Sequence, residues 1–139
     1  MALSGYEIAE NVVQAYKDLR FNRTYKSLVL MLQEEEVTLE KTYSGGYDTL
    51  VEELPEDTPR YIITDFTFTN RAGLESEKII LIFYCPLGSP IREKMVYSSS
   101  RGAIQQKLDG IGLSLEVDEK AALAREKITK RVLGRLGVG

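Results

Sequence analysis

The residues whose types and spacing could do chemistry lie in one stretch, GSPIREKMVYSSSRGAIQQKLDG, from Gly88 to Gly110. Ser89-Pro90 is a helix start signal, because proline fits the first helical turn, where its missing N–H costs nothing. On a 3.6-residue period Lys94, Ser98, Arg101 and Gln105 fall on one polar ridge, with Arg92 near its N-terminal end. Arg92 and Lys94 then sit near the positive end of the helix dipole, a poor place for cations unless something anionic compensates. The ridge is either an ordinary solvated helix face or a docking surface for something anionic, and the placement of the two cations favours the second. Catalysis finds nothing to work with. The chain has no histidine, which removes the commonest general base, the Ser-His and Cys-His couples and the usual zinc ligand. It also lacks a P-loop, a G-x-G-x-x-G and a C-x-x-C, so no catalytic residue, metal site or cofactor is assigned.

The elements that must position this ridge follow from the hydrophobic pattern. EIAENVVQAYKDLR (7–20) places Ile8, Val12, Ala15 and Leu19 at helical spacing. YKSLVLMLQ (25–33) reads as a central strand, and the alternating EVTLEKTY (36–43) as its hairpin partner. YDTLVEELP (47–55) is a short helix stopped by Pro55. RYIITDFTFT (60–69) and EKIILIFYC (77–85) are strands joined by a loop, 70–77, in which Gly73 serves the turn. The ridge helix comes next, then a short strand at 111–117. A last helix starts at Asp118 and buries Ala121, Ala124, Ile128, Val132 and Leu136 until Gly137 stops it. The order αββαββαβα predicts one α/β domain over 1–139, a mixed sheet of about five strands sandwiched between helices on both faces.

Within the ridge helix, Ile91, Met95, Ser99, Gly102 and Ala103 share one face, whereas the later apolar stripe runs through Ile104 and Leu108. A straight helix cannot bury both. Back-bonding serines bend helices, so a kink is expected near Ser98–Gly102, with the small residues lying close to the sheet.

Composition bounds the rest. With 139 residues, 43% hydrophobic and 28% charged, the chain has the make-up of an ordinary globular domain. A net charge of −3 argues against nucleic acid as a partner. No apolar run approaches the roughly 20 residues that span a bilayer, and MALSGYEIAE has no secretory pattern. The single cysteine, Cys85, fits a reducing compartment and reads as a passive thiol. A cytoplasmic monomer is expected.

The pattern P-x-R-x-K-M-x-Y-x-S-S-[KR]-x-A-[IL], present from Pro90 to Ile104, resembles the actin-binding helix of the actin-depolymerising factor/cofilin family. Ser4-Gly5, LPEDTPRYIITDFTFT (54–69), KIILIFYCP (78–86) and the basic last helix occur in family order, so the resemblance covers nearly the whole chain. It implies the ADF-homology (cofilin-like) fold and a non-enzymatic protein that binds actin monomers and filament sides. Such a protein prefers ADP-bound subunits and promotes severing and depolymerisation in the cytoplasmic actin cytoskeleton. By this resemblance Ser4, Gly5, Arg92, Lys94, Ser98, Arg101 and Gln105 bind the monomer, while Ile91 and Met95 anchor the helix to its own sheet. Lys78, Lys127, Lys130, Arg131 and Arg135 bind the filament. Ser4 is the regulatory phosphorylation site, where a phosphate would repel acidic actin. Arg92, Lys94, Arg101 and Lys107 would take phosphoinositide headgroups, weakly.

Three departures qualify the resemblance. Gln105-Gln106 and Gly102 stand where the family carries charged residues. Ser76, followed by Glu77, stands where a basic residue is usual, which depletes the filament edge and predicts weaker severing than in typical members. Tyr84 replaces a usual tryptophan. The alternative reading is the glia-maturation-factor type, which uses the same fold on the actin-related branching complex. A small α/β enzyme is the third, left without support by the missing histidine and phosphate loop.

Overall fold

The computed structural model describes residues 6–136. Its elements are β1 (Glu7–Ile8), α1 (Glu10–Lys17), β2 (Ser27–Gln33), β3 (Glu36–Tyr43), α2 (Tyr47–Glu53), β4 (Arg60–Thr69), β5 (Glu75–Tyr84), α3 (Ile91–Lys107), β6 (Leu113–Val117) and α4 (Arg125–Leu136). A π-helical turn, Asp18–Asn22, follows α1, and a 3-10 turn, Lys120–Leu123, precedes α4. One mixed sheet runs β1-β3-β2-β4-β5-β6: four antiparallel strands in the middle, with β1 and β6 added parallel at the two edges.

Helices α1 and α3 cover one face, over Leu28, Leu30, Tyr61, Ile63, Leu81 and Phe83. On the other face α2 and α4 lie over Val29, Ile62, Phe66, Ile80, Ile82 and Leu115. Central strands covered on both sides lose the one-sided alternation of a half-exposed strand, which is why β4 and β5 read as near-continuous apolar runs. The expected sandwich is present, with six strands rather than about five.

The helix expected over 7–20 is divided into three pieces. Ala9 is extended (φ −65°, ψ 152°), which puts Ile8 in β1 beside Val37 instead of on the α1 stripe. Val12, Ala15 and Leu19 are buried as expected, and Tyr16 joins them. Leu54 is extended before Pro55, as the proline ring requires, and ends α2. The last helix also differs. Ala124 is extended (φ −51°, ψ 138°) and separates the 3-10 turn from α4, so Asp118 caps no helix. Fully buried Leu123, not exposed Ala121, fills the core there. Its carbonyl accepts a 2.6 Å hydrogen bond from the Tyr47 hydroxyl, which ties the break to α2. Ile128 and Val132 are buried as expected; the Leu136 side chain and Gly137 lie outside the described residues.

Candidate docking faces and the family they identify

Helix α3 is a single uninterrupted element of 17 residues. Tyr97, Ser100 and Ile104, followed by Leu108, form its buried stripe. Two tyrosines fasten that stripe to the sheet. The Tyr61 hydroxyl donates to the Tyr97 carbonyl at 2.6 Å, and the Tyr97 hydroxyl accepts from the Leu32 N–H at 3.1 Å. Burial pushes both phenols above the ordinary tyrosine range, so both stay neutral hydroxyls.

This stripe corrects the sequence reading in three ways. Ile91 and Met95 do not anchor the helix: they are 74% and 66% exposed. With only one stripe to bury, no kink is required, although Ser99 and Ser100 both donate to the Val96 carbonyl at 3.0 Å, as back-bonding serines do. The small residue that permits close approach to the sheet is Ser100, fully buried; Gly102 faces open space.

The outer face of α3 therefore carries exposed Ile91, Arg92, Met95, Ser98, Ser99 and Gly102, with half-buried Lys94. Leu87, 71% exposed, lies just ahead of it. Neither Arg92 nor Lys94 enters any ion pair among the described residues. Two unpartnered cations beside an exposed apolar pair form a surface suited to an acidic partner with an apolar centre. Arg101 is different. Its guanidinium lies 5.6 Å from the Phe83 ring, donates to Ser114 Oγ at 2.6 Å and reaches the Glu116 carboxylate at 3.3 Å. Gln105 and Lys107 are exposed farther along. Cys85 is buried beneath this face, and burial raises its thiol pKa, so it is a neutral thiol. Ser4 and Gly5 lie outside the described residues.

The second surface is built at the other end of the sheet. Strand β4 pairs with β2 only as far as Thr64, and β5 pairs with β6 only from Ile80 onward. Beyond those points the β4–β5 hairpin overhangs as a two-stranded arm. Its tip is held by Asn70, whose Oδ1 accepts from the Ala72 and Leu74 N–H groups while its Nδ2 donates to Ser76 Oγ. Ser76, a departure from the family pattern, thus has a job in shaping the arm. An arginine meets each side of the arm. Arg125 of α4 donates to the Thr67 carbonyl at 3.1 Å and lies 4.8 Å from the Phe66 ring. On the other side Arg23 donates to both Glu77 carboxylate oxygens at 2.8 Å.

Among the five proposed filament cations, Lys127 and Lys130 are exposed on α4, and half-buried Lys78 runs along Gly112. Arg131 and Arg135 are occupied: they donate to the Glu116 and Ser114 carbonyls at 2.6 and 3.1 Å. Those carbonyls belong to the free edge of β6, so the two arginines cover a row of backbone acceptors that would otherwise be unpaired. Sequence reasoning missed this double use, and it missed Arg23, Leu87 and the exposure of Met95. Tracing the stripe through Tyr97, Ile104 and Leu108 at helical spacing would have put Met95 off the buried face; nothing local points to Arg23.

This architecture and the residue order along α3 match a known family. The family described as cofilin/tropomyosin-type actin-binding protein matches residues 5–133. The chain belongs to this family. It is 30% identical to a cofilin of Schizosaccharomyces pombe over 135 residues, covering 95% of this chain and 98% of that one. The solution structure of an ADF-like protein of Caenorhabditis elegans superposes with a TM-score of 0.83 at 25% identity, over 96% of this chain and 98% of the other. A glia maturation factor of the same organism superposes with a TM-score of 0.70 at 25% identity, covering 87% and 91%. The cofilin family is one of binding proteins, not of enzymes. No helix among the described residues is long and apolar enough to cross a membrane.

Proposed function

We propose that this cofilin-family chain binds actin monomers through the outer face of α3 and filaments through the overhanging arm and α4, and that it promotes depolymerisation in the cytoplasm. The observation that carries the reading is the exposed Ile91–Met95 pair flanked by Arg92 and Lys94, on a helix whose opposite face is fully used by the core. Apolar burial supplies the affinity and the two cations select an acidic partner. A ligand of this kind shifts a polymer equilibrium only through its differential affinity for the two states, so preference for ADP-bound subunits would drive subunit loss. Ser98 and Gln105 extend the contact along α3, with Ser4 and Gly5 arriving from the N-terminus. Phosphorylation of Ser4 would place about −1.5 to −2 charges at an interface meant for an acidic surface and would block it.

Arg101 contributes by shaping β6 more than by touching a partner, given its engagement with Ser114 and Glu116. Phosphoinositide binding is the weaker part of the proposal. Arg92 and Lys107 stand fifteen positions apart on one helix, roughly 22 Å at 1.5 Å per residue, so the four cations cannot close on a single headgroup. Attraction to anionic lipid would be diffuse and screened over about 8 Å at physiological salt.

The test is pelleting of pre-formed actin filaments with the wild type and with Arg92→Ala/Lys94→Ala at two salt concentrations. The expected result is actin moved to the supernatant by the wild type and not by the double variant. If neither protein touches filaments or monomers at low salt, the reading fails, and the actin-related branching complex suggested by the glia-maturation-factor likeness becomes the partner to test.

A further inference from the structure

The arm pairs Arg23, a cation that the sequence pattern does not assign, with Glu77, the acid that follows Ser76. Arg23 follows the π-helical turn in the left-handed conformation (φ +57°), and the Thr24 N–H closes that turn on the Asp18 carbonyl at 2.9 Å. A side chain other than glycine, asparagine or aspartate is uncommon there, and the hydrogen-bonded turn holds the backbone so that the guanidinium reaches the arm. It meets Glu77 at 2.8 Å and Asp65 at 3.8 Å, and Lys26 lies 3.9 Å from the same Asp65. Arg23 is 59% exposed and Glu77 42%, whereas Asp65 is only 9% exposed. The Arg23–Glu77 contact is thus the one an incoming partner can reach.

We propose that Glu77 is a charge brake on the filament-binding surface: by holding the Arg23 guanidinium, it withholds a cation that the arm would otherwise present to an acidic filament. The inference rests on the filament reading given above and supplies a specificity-determining pair for it. In the ion-pair cluster Arg23 and Lys26 stand against Asp65 and Glu77, a balance that becomes one net positive charge when Glu77 is neutralised. Exposed ion pairs are weak, because water screens them and two long side chains must be ordered to form them. A carboxylate on the partner can therefore take the place of Glu77, but only by competing with it. The brake would bias the chain towards monomers without touching α3.

The experiment measures filament cosedimentation and monomer binding side by side for the wild type, Glu77→Gln, Arg23→Ala and the double variant, at low and at high salt, with a thermal melt of each. The expected result is a filament affinity raised about three- to fivefold by Glu77→Gln at low salt, fading as salt screens the exposed charges. Monomer affinity should stay unchanged. In the Arg23→Ala background the gain should vanish, because there is no longer a cation to release. No gain on Glu77→Gln overturns the proposal, as does a loss, which would make Glu77 a brace of the arm. A gain that persists without Arg23 also overturns it, since net charge alone would then be responsible. A wild type that binds neither monomers nor filaments sinks the actin reading itself, an outcome distinct from the others.

Discussion

The two candidate surfaces differ in what their cations are doing at rest. On α3, Arg92 and Lys94 are free of ion pairs among the described residues and flank an exposed apolar pair. Around the arm and α4, Arg23, Arg125, Arg131 and Arg135 all bond to carboxylates or carbonyls of their own chain. A count of lysines and arginines would rate the second surface the stronger. Their partners remove most of that advantage, because a cation already hydrogen-bonded must give up that bond before it can bind anything else. What remains free on the second surface is Lys127, Lys130 and Lys78. Those lysines are no fewer than the free cations of α3, so the expectation of stronger monomer than filament binding rests on the exposed Ile91–Met95 pair.

The sharpest way to break the comparison is to spoil the apolar centre of the first surface. Met95→Asp should lower monomer affinity by about a hundredfold, as truncating or charging a central anchor does, while leaving the melting temperature unchanged because Met95 is exposed. A fall in melting temperature would mean that Met95 supports the fold after all. Next in size is Arg92→Ala/Lys94→Ala, expected to cost about tenfold in affinity at low salt and less at high salt, read by titration of monomers.

The second surface should respond in the opposite sense. Arg131→Ala removes the partner of the Glu116 carbonyl and should lower stability by about 0.5 to 1 kcal/mol in denaturant unfolding. Lys127→Ala/Lys130→Ala should leave stability alone and weaken filament pelleting. If the arginine variant instead behaves like the lysine pair, the claim that Arg131 serves β6 is wrong. Gly102→Ala should stabilise by about 1 kcal/mol, since its added methyl meets nothing within 4 Å and alanine is the better helix former. A simultaneous loss of monomer binding would show that the partner approaches the bare helix backbone there.

The smallest expected effect is that of pH. Glu53, hydrogen-bonded by Lys41 and Tyr43, and Glu77, hydrogen-bonded by Arg23, are both held below the usual carboxylate range. A depressed folded-state pKa contributes stability above the unfolded value of about 4.3 and loses it as pH falls through the lower folded value. Stability should therefore sag slightly in that acidic window, and Glu77→Gln should flatten its share of the sag.

The hydrophobic pattern alone determined most of the fold: the bounds of β3 and β4, the start of α3 after Pro90, the two-sided burial of the central strands and the helices on both faces. Periodicity reports burial over several residues, and those elements are long enough to show it. It could not show β1, because two residues have no period, nor the break at Ala124, because alanine suits a helix wherever packing allows one. The polar ridge of α3 was also legible, with Arg92 exposed and Lys94 half-buried near its start. Which side of α3 faces the core was not. Two apolar stripes compete on that helix, and the one that is buried packs Tyr97, Ile104 and Leu108 into the core and adds the Tyr61 and Tyr97 hydrogen bonds. The state of each cation was equally hidden, because Arg23 meets Glu77 across 54 residues and Arg131 meets Glu116 across 15. Residue type states what charge a side chain carries. Whether that charge is free to bind depends on neighbours that only the tertiary structure brings within reach.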